Sequence, residues 1–266
     1  DAFPEPAALA RFYASDFWAE KDNARAHFEN QRAWWAMTHT DWITRLEAHM
    51  VSGGGRVLLD VGCGYGMFLE SVLERGWNGY GLEPNTEAAA YCEAHGLSGI
   101  QRATWNSSNI RSKFDSISAH WLIEHLPDPL TFMRWCHAHL YSAGTLILVC
   151  PNEWTRAQYD ANEMVSNKNY WLDKTHLNYF TQATLANLLG RAGFKAVEWL
   201  ATYPMENFII DETGNYIDRP ELGPDLHKRI EELESALTHE ERMADYHRFA
   251  RMGGGRDLVV ICRVDA

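Results

Sequence analysis

The residues best suited to do chemistry form a glycine-rich turn after a short apolar segment. Residues 57–61 predict a buried strand that includes Asp60, and three glycines follow at alternating positions, Gly62, Gly64 and Gly66. Glycine has no Cβ, so a ligand can lie directly on this backbone and reach the amides at the start of the next helix. Glu83 follows at the end of the next predicted strand, where a carboxylate can accept hydrogen bonds from both hydroxyls of a ribose. The spacing therefore predicts a nucleoside site.

Two histidines further along the chain are candidates for acid–base chemistry. Imidazole titrates near neutral pH, so His125 or His176 could remove the proton of a hydroxyl group. Each has a structural alternative: His125 could bond to the backbone of a turn, and His176 could cap a helix predicted to begin near Thr181. Other histidines are expected at the surface, among them His27, His39, His49 and His239.

Three segments carry a family resemblance. The Asp-x-Gly-x-Gly-x-Gly pattern at 60–66 resembles motif I of the class I S-adenosylmethionine-dependent methyltransferases, and it differs from the Gly-x-Gly-x-x-Gly of dinucleotide-binding proteins. Residues 114–129 resemble the Phe-Asp strand and the Glu-His-x-x-Asp-Pro segment of the small-molecule members. Residues 176–181, with the Arg-Ala-Gly-Phe that follows at 191–194, resemble the segment before strand six. The matches cover about residues 56–200 in the family's order.

The resemblance implies S-adenosyl-L-methionine as cofactor and assigns roles around it. The glycines would line the methionine half, Asp60 would orient the loop, and Glu83 would bind the ribose. The acid that the family often has after strand three is replaced here, so Trp105 would stack on the adenine and Asn106 would accept its amine. The expected cofactor-binding residues are Asp60, Gly62, Cys63, Gly64, Gly66, Glu83, Pro84, Trp105, Asn106, His120 and Leu122.

The function that this implies is methyl transfer to a small molecule, most readily to a hydroxyl oxygen of a sugar or secondary metabolite. The catalytic candidates are His176 and His125. No metal-ligand spacing stands out, so no metal is expected. Two alternatives stay open: an inactive methyltransferase-like binding subunit, and a nicotinamide-dependent oxidoreductase, which the glycine spacing disfavours.

Composition limits the partners. The 266 residues carry a net charge of −12 and no run of three basic residues, which argues against a nucleic acid substrate. No apolar run approaches the ~18 residues of a membrane span. Five cysteines without a Cys-x-x-Cys pair suit a reducing compartment, and most of them are expected to be small buried side chains. Cys63 is the exception, because it lies inside the cofactor loop. With no signal peptide visible, a cytoplasmic protein is expected, and a homodimer is left open.

The elements that must position these residues predict an α/β fold. Strands and helices alternate, which indicates a mostly parallel sheet with helices on both faces. The resemblance implies that this sheet is Rossmann-like and seven-stranded, with an antiparallel last strand. A turn is expected at Ala143-Gly144, and no clear period appears in 152–175. The predicted division is 1–50 as an aromatic-rich helical cap, 51–202 as cofactor-binding core, 203–255 as helical insertion and 256–266 as the terminal strand. In the cap, Tyr13, Phe17 or Trp18 could close over a ligand.

Overall fold

The protein is described by a computed structural model that covers residues 11–16, 29–50 and 56–265. Its strands form one seven-stranded sheet, as predicted, and their order in that sheet is β3-β2-β1-β4-β5-β7-β6. The strands are β1 Val57–Val61, β2 Asn78–Leu82, β3 Ile100–Gln101, β4 Phe114–His120, β5 Leu140–Pro151, β6 Phe194–Ala201 and β7 Asp257–Val264. The helices are α1 Arg32–Ala48, α2 Met67–Glu74, α3 Thr86–Ala94, α4 Pro129–His139, α5 Arg156–Met164, α6 Gln182–Arg191, α7 Asn207–Ile210, α8 Gly223–Ser235 and α9 His239–Arg251.

Packing divides the chain into two compact units. Of the described residues, the first unit contains those up to 120 together with 131–147, and the second contains 121–130 and 148–265. The predicted division into cap, core, insertion and terminal strand is a different one and stays a prediction.

The first unit holds the parallel strands that the glycine turn requires. β1 pairs in parallel with β2 and with β4, so that Asp60 lies opposite Ser118 in the register. Leu58, Leu59 and Ile117 are fully buried. Strands covered on both faces are expected to show apolar runs, and β1 shows one around Asp60. β4 contains Asp115, Ser116 and Ser118, and it was located by its family resemblance instead.

The second unit holds the antiparallel pair of β6 and β7. Phe194 lies opposite Val264 at one end and Ala201 opposite Leu258 at the other, with a bulge between Ala196 and Glu198. The predicted antiparallel direction of the last strand is confirmed.

The turn predicted at Ala143-Gly144 is wrong, because both residues lie inside β5. A Cβ on Gly144 would lie 2.9 Å from the carbonyl oxygen of Tyr141 and 3.0 Å from Cβ of Leu140. This glycine therefore permits a close approach of the backbone within a strand. A glycine in a strand pattern can indicate such an approach as well as a turn.

The insertion differs from its prediction in one respect. In the sequence, Leu226, Ile230, Leu233 and Leu237 are spaced by four, three and four residues, which predicts one apolar helix face. α8 begins at Gly223 and buries Leu226 and Ile230, but Leu233 is 53% exposed. Its neighbour Glu234 is buried instead, and its Oε1 accepts a hydrogen bond of 2.8 Å from the hydroxyl of Tyr246 on α9. The hydrogen bond from α9 reduces the free-energy cost of burying this carboxylate.

Two helices lie in segments where the sequence predicted no exact bounds. α5 lies in the stretch without a clear period and starts at a capping box of Thr155 and Gln158, the signal that could have located it. In the predicted cap, α1 is one long helix with a fully buried Trp42. Phe17 and Trp18 lie outside the described residues. Among the described helices, none combines the length and the apolar character that a membrane crossing needs.

Candidate active site

The glycine turn is held against the end of β2. The amides of Gly62 and Cys63 both donate to the carbonyl of Leu82, at 2.8 and 3.1 Å. Gly62, Gly64 and Gly66 all have φ between 53° and 80°. A Cβ on Gly66 would lie 2.2 Å from Cδ1 of Leu97, so any other residue there would have to displace that side chain. The left-handed turn brings the chain from β1 directly into the first turn of α2.

Glu83 is fixed to this turn by both carboxylate oxygens. Oε2 accepts the amide of Gly64 at 2.8 Å, and Oε1 accepts the amide of Asn85 at 2.8 Å. The side chain of Asn85 in turn caps α3 through the amide of Ala88. Burial raises the pKa of Glu83 to about 7, while these two backbone bonds oppose the shift. The carboxylate is therefore rigid, and each oxygen keeps a second lone pair for a ligand hydroxyl.

Asp60 is a second buried acid beneath the turn. It accepts a 2.7 Å bond from the hydroxyl of Ser118 on β4. Burial, followed by the charge of Glu83, raises the pKa of Asp60 to about 7. Cys63 points its Sγ toward β2, where a Cβ on Gly81 would lie 2.7 Å away, so its backbone rather than its thiol lines the turn. All five cysteines are buried, including Cys63, which the sequence set apart from the others.

The residues after β3 occupy defined positions. Trp105 is half-buried, with its ring centroid 5.6 Å from that of Phe132 and 6.1 Å from that of Trp135. Asn106 is exposed, and its Oδ1 accepts a 2.6 Å bond from the hydroxyl of Thr104. Pro84 stands half-buried beside Glu83. An adenine contact by Trp105 or Asn106 stays a prediction.

At the end of β4, His120 lies in an aromatic box. Its ring centroid is 4.4 Å from Phe68, 5.5 Å from Trp42 and 6.2 Å from His39. Burial holds the pKa of His120 well below its usual value, and the neighbouring His39 adds to this shift. The imidazole is therefore neutral at physiological pH.

The expectation that His39 lies at the surface is wrong. It is 4% exposed, and burial lowers its pKa to about 3. Trp35, His39 and Trp42 follow each other at helical spacing and share the inner face of α1. That i, i+4, i+7 pattern was the signal in the sequence, because residues so spaced lie on one side of a helix.

After His120 the chain turns sharply at Trp121. This residue has φ 48°, an uncommon conformation for a side chain other than glycine. Its amide donates to the carbonyl of Val149 at 2.8 Å, and its Nε1 donates to Oδ1 of Asp257 at 3.0 Å. These bonds offset the local strain and direct Leu122, which is half-buried, into a 3₁₀ turn over Ile123–His125.

The 3₁₀ turn brings together the two predicted histidines. The rings of His125 and His176 are 4.9 Å apart, nearly perpendicular. Nδ1 of His125 donates to the carbonyl of Thr175 at 3.0 Å, which confirms the expected backbone bond. The alternative for His176 is wrong, because Thr181 itself caps α6 through its hydroxyl.

Glu124 completes this cluster and was missed in the sequence. Its Oε1 lies 3.8 Å from Nε2 of His125, and both side chains are almost fully buried. Its backbone carbonyl accepts the amides of Leu177 and Asn178, at 2.8 and 2.9 Å. These backbone bonds draw His176 to the turn. One ligand-type atom each of Glu124, His125 and His176 lies within 4.8 Å of the other two.

An aromatic surface adjoins His176 in the second unit. The ring of Tyr179 is 6.0 Å from His176 and 6.3 Å from Trp154. Trp154 is 41% exposed and also contacts Trp171, at 5.8 Å. These rings come from the segment after β5, so an aromatic cluster with the exposed ring of Trp154 lies next to His176.

Comparison with known proteins identifies the family of this chain. A sequence profile described as a methyltransferase domain matches residues 27–198, well over half of the chain. The chain belongs to the S-adenosylmethionine-dependent methyltransferases. Methyltransferase structures share the fold: one from Archaeoglobus fulgidus has a TM-score of 0.55 at 20% identity and covers 89% of this chain and 99% of its own. The 1,6-didemethyltoxoflavin-N1-methyltransferase of Burkholderia thailandensis has a TM-score of 0.58 at 18% identity, with coverage of 100% and 93%.

A curated relative of this methyltransferase is more similar in sequence. The ubiquinone biosynthesis O-methyltransferase of Actinobacillus pleuropneumoniae serotype 7 (strain AP76) is 32% identical over 114 residues, which is 39% of this chain and 49% of the relative. The chain thus spans about half the length of that relative in the match. The cofactor of this methyltransferase is S-adenosyl-L-methionine. The left-handed glycine turn and the rigid buried carboxylate of Glu83 fit its nucleoside and amino acid halves.

Proposed function

We propose that this methyltransferase transfers a methyl group to a hydroxyl oxygen of a small molecule, a sugar or a secondary metabolite. The observation that carries the proposal is the cluster of Glu124, His125 and His176. The first two are buried and follow β4, and His176 is half-buried and comes from the segment after β5. A hydroxyl must lose a proton during methylation, and this cluster contains the groups that can take part in that step. The O-methyltransferases of ubiquinone biosynthesis among its relatives support an oxygen acceptor.

The cofactor half of the proposed site follows β1 and β2. Glu83 would bind the ribose hydroxyls, the glycine turn would line the methionine part, and Asp60 would hold the turn through Ser118. Trp105 would stack on the adenine, with Asn106 at its amine. The full proposed set is Asp60, Gly62, Cys63, Gly64, Gly66, Glu83, Pro84, Trp105, Asn106, His120 and Leu122. Because β1 and β4 are paired neighbours within the first unit, a cofactor on the turn after β1 is expected at the edge of the sheet where both strands end.

The acceptor half would use the second unit's own residues. The bound cofactor supplies an electrophilic methyl group on a sulfonium. His176 or His125 would accept the proton of the acceptor hydroxyl, and Glu124 would stabilise the positive charge that this creates. The exposed ring of Trp154 and the ring of Tyr179 would bind an apolar, flat part of the acceptor and exclude water.

The proposal is tested with cofactor carrying a labelled methyl group. Acceptors are offered as matched pairs that share one skeleton and differ in a hydroxyl or an amine, for example a phenol and the corresponding aniline, together with simple sugars. We expect label on oxygen, strongly reduced in the His176→Asn variant. The exposed His95 gives the matched control, His95→Asn, which should retain transfer. Label found on nitrogen or carbon, with His176→Asn unaffected, would contradict the proposal.

A further inference from the structure

We infer that Glu124, His125 and His176 together bind one divalent transition-metal cation, and that this cation holds the acceptor hydroxyl. The inference rests on the proposed function, which it deepens by assigning the means of hydroxyl activation. Two imidazoles and one carboxylate are a donor set that recurs in catalytic metal sites. The absence of a metal-ligand spacing in the sequence is explained by His176, which comes from a distant segment.

The distances are close to those of a bound ion. The three ligand-type atoms lie within 4.8 Å of one another. Around a cation with bonds of about 2.1 Å, neighbouring ligand atoms are about 3 to 3.5 Å apart. Small side-chain rotations of these residues would therefore close the site without moving the backbone.

The surrounding hydrogen bonds orient the ligands in the way metal sites require. A carbonyl oxygen only accepts, so Nδ1 of His125 carries the proton in its bond to Thr175. In a neutral imidazole Nε2 then carries the lone pair, and this is the atom on the side of Glu124. A second nitrogen that donates to a backbone carbonyl is the usual partner of a metal-binding histidine.

The two segments that supply the ligands are also locked together. Besides the two amides that bind the carbonyl of Glu124, Nδ2 of Asn178 donates to the carbonyl of Leu126 at 2.7 Å. The bonds lie on both sides of His125 along the 3₁₀ turn. These bonds fix the separation of the two backbone segments that carry the ligands. Only the side chains must then become ordered when the ion binds, which reduces the entropy lost on binding.

The donor types select the cation. Imidazole favours zinc, iron and other transition metals, whereas magnesium and calcium prefer oxygen ligands alone. Three protein ligands leave further coordination positions for an acceptor. A cation-bound hydroxyl has a lowered pKa and releases its proton to water. With the cation bound, the imidazoles would therefore act as its ligands, and the proton transfer to His176 or His125 described above would be replaced by this release.

The transfer then balances. The acceptor oxygen forms a bond to the methyl carbon, the sulfur–methyl bond breaks, and the electron pair stays on sulfur. The products are the methyl ether, S-adenosylhomocysteine and one proton. Neither an oxidant nor a reductant is needed.

The test uses chelator-stripped full-length chain and two probes, Zn²⁺ by calorimetry and Co²⁺ by its visible absorption. We expect one ion per chain. Glu124→Gln and His176→Asn should each weaken binding by at least the ~10–100-fold that loss of a supporting residue costs. The matched controls are Glu198→Gln and His247→Asn, from another glutamate–histidine pair at 2.8 Å, and they should bind as the wild type does. X-ray absorption of the zinc-loaded wild type should show two imidazole ligands. This measurement tests the site even if a variant folds poorly.

The outcomes separate this inference from the proposed function. Absence of binding by the wild type, equal losses in the control pair, or a metal environment without imidazole would overturn the site. Full transfer to a hydroxyl in the presence of chelator would overturn the role of the cation and leave the proposed function standing. One bound ion, combined with transfer only to nitrogen, would support the site and overturn the proposed function.

Discussion

The backbone amide of Gly64 donates to Oε2 of Glu83 across 2.8 Å, although 19 residues separate them in the chain. The contact joins the two features that the sequence offered for nucleoside binding, the glycine turn and the acid after β2. It also means that the carboxylate and the turn cannot move independently. The binding surface is therefore preorganised, which reduces the entropy lost when a ligand binds.

Replacing Glu83 by glutamine should weaken binding of S-adenosylhomocysteine. The change removes a charge that accepts hydrogen bonds and leaves an amide where Gly64 or Asn85 needs an acceptor. We expect a loss of about 1.5–3 kcal/mol, or roughly tenfold to a hundredfold in Kd. Calorimetry measures it, with the exposed Glu87→Gln as control. Equal affinities of the two variants would remove Glu83 from the site.

The free energy of unfolding of the ligand-free protein should depend on pH because of Asp60. Burial raises its pKa from 3.8 to about 7, so the folded state keeps a proton that the unfolded state has released. This contribution is present below about pH 4 and is lost as the pH rises through 7. Asparagine does not titrate, so Asp60→Asn has no such pH dependence. Its free energy of unfolding, relative to that of the wild type, should therefore rise by roughly 2–3 kcal/mol from about pH 5 to about pH 8. Urea unfolding at both pH values tests this, and a difference independent of pH would contradict it.

Gly66→Ala should destabilise the fold more than Gly76→Ala. Both glycines have φ near 80°, so alanine pays the same backbone cost of about 1 kcal/mol at each. A Cβ at Gly76 meets nothing within 4 Å, whereas at Gly66 it would lie 2.2 Å from Leu97. Overpacking should add about 1–3 kcal/mol at Gly66 alone. Thermal unfolding of both variants decides it, and equal shifts would show that Leu97 moves aside freely.

His176→Asn should lower kcat by roughly 10²–10⁴-fold with little change in cofactor affinity. The reason holds whether the imidazole accepts the proton or binds a cation, since both act on the acceptor. Steady-state kinetics with a hydroxyl acceptor, together with calorimetry of S-adenosylhomocysteine, separate the two parameters. Near-normal turnover would mean that positioning alone supplies the rate, as for an amine that arrives deprotonated.

Much of the cofactor half could be predicted from the sequence because its signals are local. An apolar run and a glycine pattern define the turn after β1, and Glu83 lies at the end of the next strand. The acceptor half depends on contacts between distant segments. Glu124 meets His176 through backbone bonds to Leu177 and Asn178, which leave no pattern of side chains. The left-handed backbone conformation of Trp121, where the turn starts, could not be predicted from the sequence either, because tryptophan does not favour that conformation.

The central claim is that S-adenosylmethionine binds across the glycine turn with its ribose on Glu83. A crystal structure with S-adenosylhomocysteine tests it most directly. The account predicts both ribose hydroxyls within about 2.5–3.0 Å of the Glu83 carboxylate oxygens, and the amino acid part against Gly62 and Gly64. A ligand whose ribose lies away from Glu83, with the glycine turn facing solvent, would contradict it.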